Sequence, residues 1–271
     1  MITLKININK IKKLRNITGI SIIECKKALV ATQGNINNAI NYIRQYLTVE
    51  SIKKFNNETK EGLILDYVTK DFGILLEINC QTDFVAKSIN FINFGNEILN
   101  YIIKNNQQDI NIIQKVFNKK KIELIGLLKE NIFINQIHYI QGKFIGKYIH
   151  HNKNIGVIIK SNINNQLLMK QIAMHIAMLK PEYIQEKNIP SDILNQEYKL
   201  QKNIAMKKNK SPIIFKKIIE GRIKKFINNI TLYNQKFLLD NNQTVFNILK
   251  KNKMKILNFV RLKINENIIK N

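Results

Sequence analysis

Residues 77–87, EINCQTDFVAK, mark the point where the sequence pattern changes from strand to helix. The apolar run at 74–78 predicts a buried strand, and helical spacing follows at Phe91, Phe94, Ile98 and Ile102. Thr82 or Asp83 suits the N-cap position, because a short side-chain oxygen can accept a free first-turn amide. Phe84 therefore stands at a strand-to-helix corner. The pattern alone favours a capped helix start with Phe84 folded inward.

Residues 1–50 predict a small domain of three short helices. The first helix ends at Gly19, which can take the left-handed C-cap conformation. Ser21 and Glu24 fit a capping box for the second helix, in which the hydroxyl and the carboxylate each satisfy an amide. A unit of this size buries little apolar surface by itself. We therefore interpret it as a docking domain, joined to the rest by a polar linker at 51–60.

The middle of the chain contains a weak internal repeat. A predicted hairpin turns at 70–71 in one copy and at 151–154 in the other, and a helix follows each hairpin. A further helix is predicted at 119–129. Two hairpin-plus-helix halves, 61–141 and 142–271, indicate a core in which helices cover one face of antiparallel sheets.

The second half contains an insertion at about 191–229. Two helical patterns there flank a short polar turn, which predicts an antiparallel helical hairpin. Its lysine-rich outer faces are interpreted as solvated surface, with partner docking as the alternative. The chain is thus predicted to be an α+β protein with an N-terminal three-helix domain, a duplicated antiparallel-sheet-plus-helix core and an inserted helical hairpin.

The net charge of +25 on 271 residues favours acidic partners and polyanions. A competing cause is compositional drift, because isoleucine, asparagine and lysine dominate the sequence and their codons are rich in A and T. The charge is spread along the whole chain. RNA contact therefore stays open, and an RNA- or ribosome-binding protein is the alternative functional hypothesis.

No apolar run approaches the roughly 20 residues that a membrane-spanning helix needs. The N-terminus lacks the pattern of a secretory signal or a transit segment. These features predict a cytoplasmic protein with no membrane partner, bacterial and from a reduced genome, or, as second choice, encoded in an organelle.

Several kinds of catalytic site find no support in the sequence. There is no glycine-rich phosphate loop, so direct nucleotide binding is not expected. The thiols of Cys25 and Cys80 sit among apolar neighbours without a paired base, and no acid–base pair of carboxylates stands out. We therefore expect no bond chemistry, no cofactor and no metal.

Histidine side chains can bind a metal ion or contact a partner. His150 and His151 suggest a metal site, but neighbours on a strand point to opposite faces, which disfavours shared coordination. His175 lies in an apolar helical pattern. A half-buried histidine with satisfied hydrogen bonds is the favoured interpretation, and a partner contact is the alternative if that helix edge is exposed.

Two longer motifs carry a family resemblance. Residues 14–29, LRNITGISIIECKKAL, and 77–87 resemble the two signatures of the translation elongation factor Ts family. Further similarity appears at 174–181, 220–226 and 235–245, so the resemblance covers nearly the whole chain in order. It implies a ubiquitin-associated-like helical domain, a duplicated α+β core and a protruding coiled-coil hairpin.

The resemblance also implies an activity, which is guanine-nucleotide exchange on the GTPase elongation factor Tu. The exchange factor binds the GDP form, loosens Mg²⁺ and GDP, and is displaced once GTP enters. By this resemblance Thr82, Asp83, Phe84 and Val85 reach the partner's magnesium site. Phe84 is expected to be a wedge that enters an apolar pocket. Asp83 is expected to hold the corner and add negative charge.

The resemblance further implies a set of docking residues, which are Leu14, Arg15, Thr18, Gly19, Ile22, His150 and His175. Many family members carry a further helix after the final strand, and that helix contacts another domain of the GTPase. Since the sequence ends at Asn271, this contact is expected to be reduced or missing.

Overall fold

The computed structural model describes residues 7–18, 20–52, 58–206 and 212–266. Three N-terminal helices come first: α1 (Ile8–Thr18), α2 (Ile22–Ala31) and α3 (Ile36–Ile52). They confirm the predicted helical domain. Its core consists of Ile11, Leu14, Ile20, Cys25, Ala28, Leu29, Ala39 and Ile43. Helix α3 continues two residues into the predicted linker, and residues 53–57 lie outside the described part of the chain.

Only half of the predicted capping box forms at α2. Ser21 Oγ accepts a hydrogen bond from the Glu24 amide at 3.2 Å. The Glu24 carboxylate does not return to an amide; it accepts from the Ser21 hydroxyl at 3.1 Å and lies 3.2 Å from Lys129 Nζ. The carboxylate therefore links the helical domain to the region that follows. The predicted C-cap Gly19 lies outside the described residues.

The first half of the core begins with β1 (Glu61–Val68) and β2 (Phe72–Cys80), the predicted hairpin. It continues with α4 (Asp83–Ala86), α5 (Ile89–Asn105), α6 (Ile110–Leu128) and β3 (Phe133–Gln141). The sheet order is β1-β2-β3, so β2 is central and is buried from Gly73 to its end. Helix α6 also packs against α3.

Two helix boundaries differ from the prediction. The single helix expected after Asp83 is broken, because Ser88 accepts from the Phe91 amide and starts α5 as a new helix. Helix α6 begins well before residue 119, because Asp109 is its N-cap and accepts from the Asn111 amide at 2.8 Å. In both places a short polar side chain supplies the missing amide acceptor.

The second half of the core opens with β4 (Ile145–Ile149) and β5 (Ile155–Ser161), followed by α7 (Gln166–Leu179). The strands are antiparallel, with Ile145 opposite Lys160. This confirms the second predicted hairpin-plus-helix unit.

The inserted hairpin consists of α8 (Ser191–Met206) and α9 (Pro212–Ile230), after a 3₁₀ turn at Glu186–Asn188. The two helices pack on each other, and Arg222 donates to Gln201 Oε1 at 3.0 Å across them. A small apolar cluster closes the base of the hairpin: Tyr183, Ile189, Ile227 and Ile230. The inserted helical hairpin is thereby confirmed, with its connecting turn outside the described residues.

The chain returns to the second half through β6 (Lys236–Phe237), β7 (Asp240–Thr244), α10 (Val245–Lys251) and β8 (Ile256–Lys263). Strand β8 pairs antiparallel with β5, which gives the sheet order β4-β5-β8. Each half therefore has a three-stranded sheet completed by a strand from later in the chain. The α+β fold class is confirmed, and the duplication extends to this third strand.

The chain forms two compact units, one of 1–65 with 76–137 and one of 66–75 with 138–271. The predicted domain limits at residues 50, 61 and 142 stay predictions. Among the described helices, none is both long and apolar enough to cross a membrane.

Candidate partner-binding site

The corner between β2 and α4 is formed by Gln81 and Thr82. Thr82 is the N-cap, and its hydroxyl accepts a long hydrogen bond from the Val85 amide at 3.4 Å. Of the two predicted caps, Thr82 is confirmed and Asp83 is wrong, because Asp83 is already the first residue of α4. The corner therefore starts a separate single-turn helix.

A carboxylate from a distant part of the chain holds this corner. Glu130 Oε2 accepts from the amides of Gln81 at 3.1 Å and Thr82 at 2.9 Å. Glu130 Oε1 accepts from the Thr82 hydroxyl at 2.6 Å. Hydrogen bonds to an ionised acceptor are stronger than neutral ones, so three on one side chain fix the backbone locally. Sequence reasoning missed Glu130, and no local motif marks a carboxylate 48 residues away.

The residue before the corner adds a second restraint. The Cys80 thiol is buried and donates to the Thr82 carbonyl at 3.2 Å. Burial, with nearby Glu130 as a smaller cause, raises the pKa of the Cys80 thiol to about 12. The thiol therefore stays neutral and acts as a small packed donor.

Phe84 points outward from this corner. Its side chain is 82% exposed, whereas the neighbouring Val85 is only 8% exposed and faces inward. The inward orientation that the pattern favoured for Phe84 is wrong. The side chain of Val85 packs in the interior, and its contact with a partner stays a prediction.

Asp83 lies beside Phe84 and is paired. Its carboxylate accepts from Lys87 Nζ at 2.6 Å, one turn along the chain. This hydrogen bond holds the pKa of Asp83 below its usual value, so the carboxylate is ionised near neutral pH. The negative charge expected next to Phe84 is present, but the adjacent ammonium group offsets much of it.

The predicted docking residues of the N-terminal domain divide by burial. Arg15 is exposed and Ile22 is 53% exposed. Thr18 is half-buried, and its hydroxyl donates to the Leu14 carbonyl at 2.7 Å. Leu14 itself is fully buried in the domain core, and its role as a direct contact stays a prediction. Gly19 lies outside the described residues.

Sequence reasoning missed two exposed apolar residues on the same domain, Ile17 and Ile23. Ile17 lines an open cleft of about 460 Å³ together with Thr18, Ile40 and Phe94. Exposed isoleucines scattered singly are common on protein surfaces. Only their position beside Thr18 and Ile22 marks these two as candidates.

His150 and His151 lie together in the turn after β4. Their ring centroids are 4.3 Å apart, so the expectation that they face opposite sides is wrong: a turn, and no strand, carries them. His150 Nδ1 lies 3.0 Å from the Tyr148 hydroxyl. Within the described ranges, no group of three or more histidine, cysteine or acidic side chains is placed to hold a metal ion.

His175 is fully buried in α7. Its Nδ1 accepts from the Leu238 amide at 3.1 Å, so Nε2 carries the proton and donates to Gln235 Oε1 at 2.9 Å. Burial lowers the pKa of the imidazole, partly offset by the Gln235 bond. The interpretation of a histidine with satisfied hydrogen bonds is confirmed, although the side chain is fully and not half buried. Its role as a docking contact stays a prediction.

Comparison with known proteins supports one assignment. The family model described as "Elongation factor TS" matches residues 81–266. Elongation factor Ts of Buchnera aphidicola subsp. Cinara cedri is 44% identical over 272 residues, covering 98% of this chain and 98% of that protein. The proteins of the same name from Photorhabdus laumondii and Yersinia pestis are 37% and 36% identical, each covering 96% of this chain and 92% of the relative. The chain belongs to the elongation factor Ts family.

Proposed function

We propose that this protein binds elongation factor Tu in its GDP form, displaces Mg²⁺ and GDP, and so allows GTP to enter. The proposal rests on Phe84, an aromatic side chain that is 82% exposed on an anchored corner. A large apolar side chain held out in water is unfavourable for the free protein, which suggests that a partner covers it. The relatives named above are bacterial, and we place this activity in a bacterial cytoplasm.

The corner suits a wedge because it is ordered before binding. Glu130 and the Thr82 cap hold the backbone of the projecting turn. A segment that is fixed in advance loses less conformational entropy when it enters a pocket. The Phe84 ring can therefore contribute most of its burial free energy to displacing the partner's structure.

Exchange requires preference for one state of the partner. The factor must bind the nucleotide-free form more tightly than the GDP form, and its effect on GDP affinity is reciprocal. A coupling of about 4 kcal/mol corresponds to about a thousandfold change in affinity. Burying one phenylalanine is worth about 1.5–3 kcal/mol, so Phe84 supplies a large part of this coupling but not all of it.

We assign a different role to the N-terminal domain. Arg15, Thr18 and Ile22 offer a surface for docking on the GTPase, with Ile17 and Ile23 beside them. Contacts that are equal in both states of the partner raise affinity without driving exchange. His150 stays a proposed contact of the second half. No step in this scheme makes or breaks a covalent bond, so the protein acts as an exchange factor without catalytic residues of its own.

The test is release of fluorescently labelled GDP from elongation factor Tu. The protein should accelerate release, and Phe84→Ala should slow the accelerated rate by at least tenfold, since about 1.4 kcal/mol corresponds to a factor of ten. Phe246→Ala is the matched control, because Phe246 is another exposed phenylalanine, 47% exposed, on α10. It should leave the rate unchanged. If an excess of the unaltered protein does not change GDP release, the proposal is wrong.

A further inference from the structure

Gly221 lies in the middle of α9 without a packing reason. A Cβ atom built at this position meets no atom within 4 Å apart from its chain neighbours and the backbone of its own helix, and the residue is exposed. Glycine inside a helix is less stable than alanine, because it loses more backbone entropy. The free protein would therefore gain from alanine here, and the glycine calls for another cause.

Three lysines surround Gly221 on the outer face of the helix. Lys217, Lys224 and Lys225 are four residues before it and three and four residues after it, a spacing that places them on one side. All three are exposed, whereas Ile219 is buried on the opposite side of α9. We call Lys217, Gly221, Lys224 and Lys225 the basic ridge. Within the described residues, the ion pairs of the protein do not involve these lysines.

The residue types of the basic ridge favour one class of partner over others. A protein interface has a buried core enriched in aromatic and apolar side chains, and single-stranded RNA stacks its bases on aromatic rings. The ridge has neither. A helical RNA is recognised through its shape and phosphates, which cations and a smooth surface satisfy. The net charge of +25 adds long-range attraction for the same polyanion.

We propose that the basic ridge binds the phosphate backbone of structured RNA, and that Gly221 lets that backbone approach the helix closely. Lys217 and Lys224 are separated by seven residues, about 10 Å along the helix axis, so their ammonium groups can contact different phosphates. Because the family acts in translation, structured RNA is the polyanion that this arm meets. This activity is separate from nucleotide exchange.

Binding can be tested with the full chain and a fluorescent RNA hairpin whose stem has about 16 base pairs. Affinity should fall steeply with salt. Changing Lys217, Lys224 and Lys225 together to glutamine should weaken binding by about tenfold and reduce the slope of log affinity against log salt by about 2 to 3. The matched control changes Lys104, Lys115 and Lys119 to glutamine. These lysines are exposed on α5 and α6, and this variant has the same net charge.

The variant Gly221→Ala tests whether the glycine serves RNA binding. Alanine should raise the melting temperature by about 2 °C, because it favours the helix. The same change should weaken RNA binding by about threefold, since the added methyl group keeps the backbone away. Stability and binding thus move in opposite directions, which misfolding of the variant would not produce.

Three results would overturn the proposal. The first is that the RNA hairpin does not bind in a salt-dependent way. The second is that the ridge variant and its charge-matched control weaken RNA binding equally. The third is that polyglutamate displaces the RNA at equal charge concentration. Unchanged binding by Gly221→Ala would overturn the role of the glycine. Labelled-GDP release is measured without RNA, so a failure of the exchange proposal can be distinguished from a failure of the RNA-binding proposal. The ridge variant should keep the rate of GDP release within about twofold, because two sites that are not coupled do not affect each other.

Discussion

The two halves of the core bring the chain from strand to helix in different ways. In the second half, Asn165 caps α7 directly and accepts from the Leu168 amide at 3.1 Å. The loop before it is held by Asn162, whose Oδ1 accepts from the Lys255 amide at 2.6 Å. The large apolar side chain that the first turn of α7 leaves in solvent is Leu167, which is 71% exposed.

The first half inserts one extra capped turn at the same point. Helix α4 stands between β2 and α5, and it has its own cap and its own anchor in Glu130. Because α4 is too short to pack along the sheet, it can project Phe84 away from the core. An anchored single turn with an aromatic tip therefore distinguishes the proposed wedge from an ordinary capped helix start.

After removal of Phe84 itself, the largest effect on this comparison is expected from removing the anchors. Glu130→Ala leaves three donors to solvent, which should lower the free energy of unfolding by about 1–2 kcal/mol at this surface site. It should also slow GDP release about fivefold, because a loose corner must be ordered on binding at a cost of about 1 kcal/mol.

Asn162→Ala is the control for that change. It removes the corresponding anchor of the second corner, so chemical denaturation should show a similar loss of stability. GDP release should stay within about twofold of the normal rate. Equal slowing by both variants would show that general stability, and not the first corner, limits exchange.

The two halves are also expected to differ in how their stability depends on pH. Burial lowers the folded-state pKa of His175, whereas the unfolded chain has the ordinary value of about 6.5. The unfolded state therefore binds more protons between these values. The contribution of neutral His175 to the free energy of unfolding is fully present above about pH 6.5. It is lost as the pH falls below that value, by at most about 1.4 kcal/mol per pH unit. The Asp83–Lys87 pair of the first corner is unaffected there, because the pKa of Asp83 lies below its usual value.

Urea unfolding at about pH 7.5 and about pH 5.5 measures this dependence. His175→Gln should reduce the loss of stability between the two conditions. His150→Gln, at a half-buried histidine in a turn, should preserve it. If His175→Gln keeps the full pH dependence, the buried imidazole is not its source.

The smallest effect is expected from the exposed leucine of the second corner. Leu167→Ala should leave GDP release within about twofold, since an exposed substitution away from the wedge changes little. Labelled-GDP release measures this as well. A tenfold loss would mean that the second corner is also inserted into the partner, and the contrast between the halves would then fail.

Local patterns were sufficient for much of the fold. Both hairpins, α7 and the inserted helical hairpin follow from apolar periodicity and turn residues. The break between α4 and α5 was missed, although Ser88 is an N-cap residue of the preferred kind. The third strand of the first sheet was also missed, because its pairing with β2 depends on contacts far along the chain.

The candidate site was harder to predict from the sequence. Periodicity put Phe84 inside, and only the family resemblance indicated the outward orientation. The corner that carries Phe84 is held by Glu130, which is distant in sequence and has no motif of its own. Local patterns also did not show how deeply Leu14 and His175 are buried, because burial depends on packing against residues that are distant in the sequence.

The central claim is that Phe84 gives the protein its preference for nucleotide-free elongation factor Tu. Calorimetric titration of the protein into the GDP-bound and the nucleotide-free GTPase measures that preference directly. The unaltered protein should bind the nucleotide-free form about a thousandfold more tightly. Phe84→Ala should reduce this ratio by at least tenfold and leave affinity for the GDP form nearly unchanged. If Phe84→Ala weakens both complexes equally, Phe84 is an ordinary contact and the wedge account is contradicted.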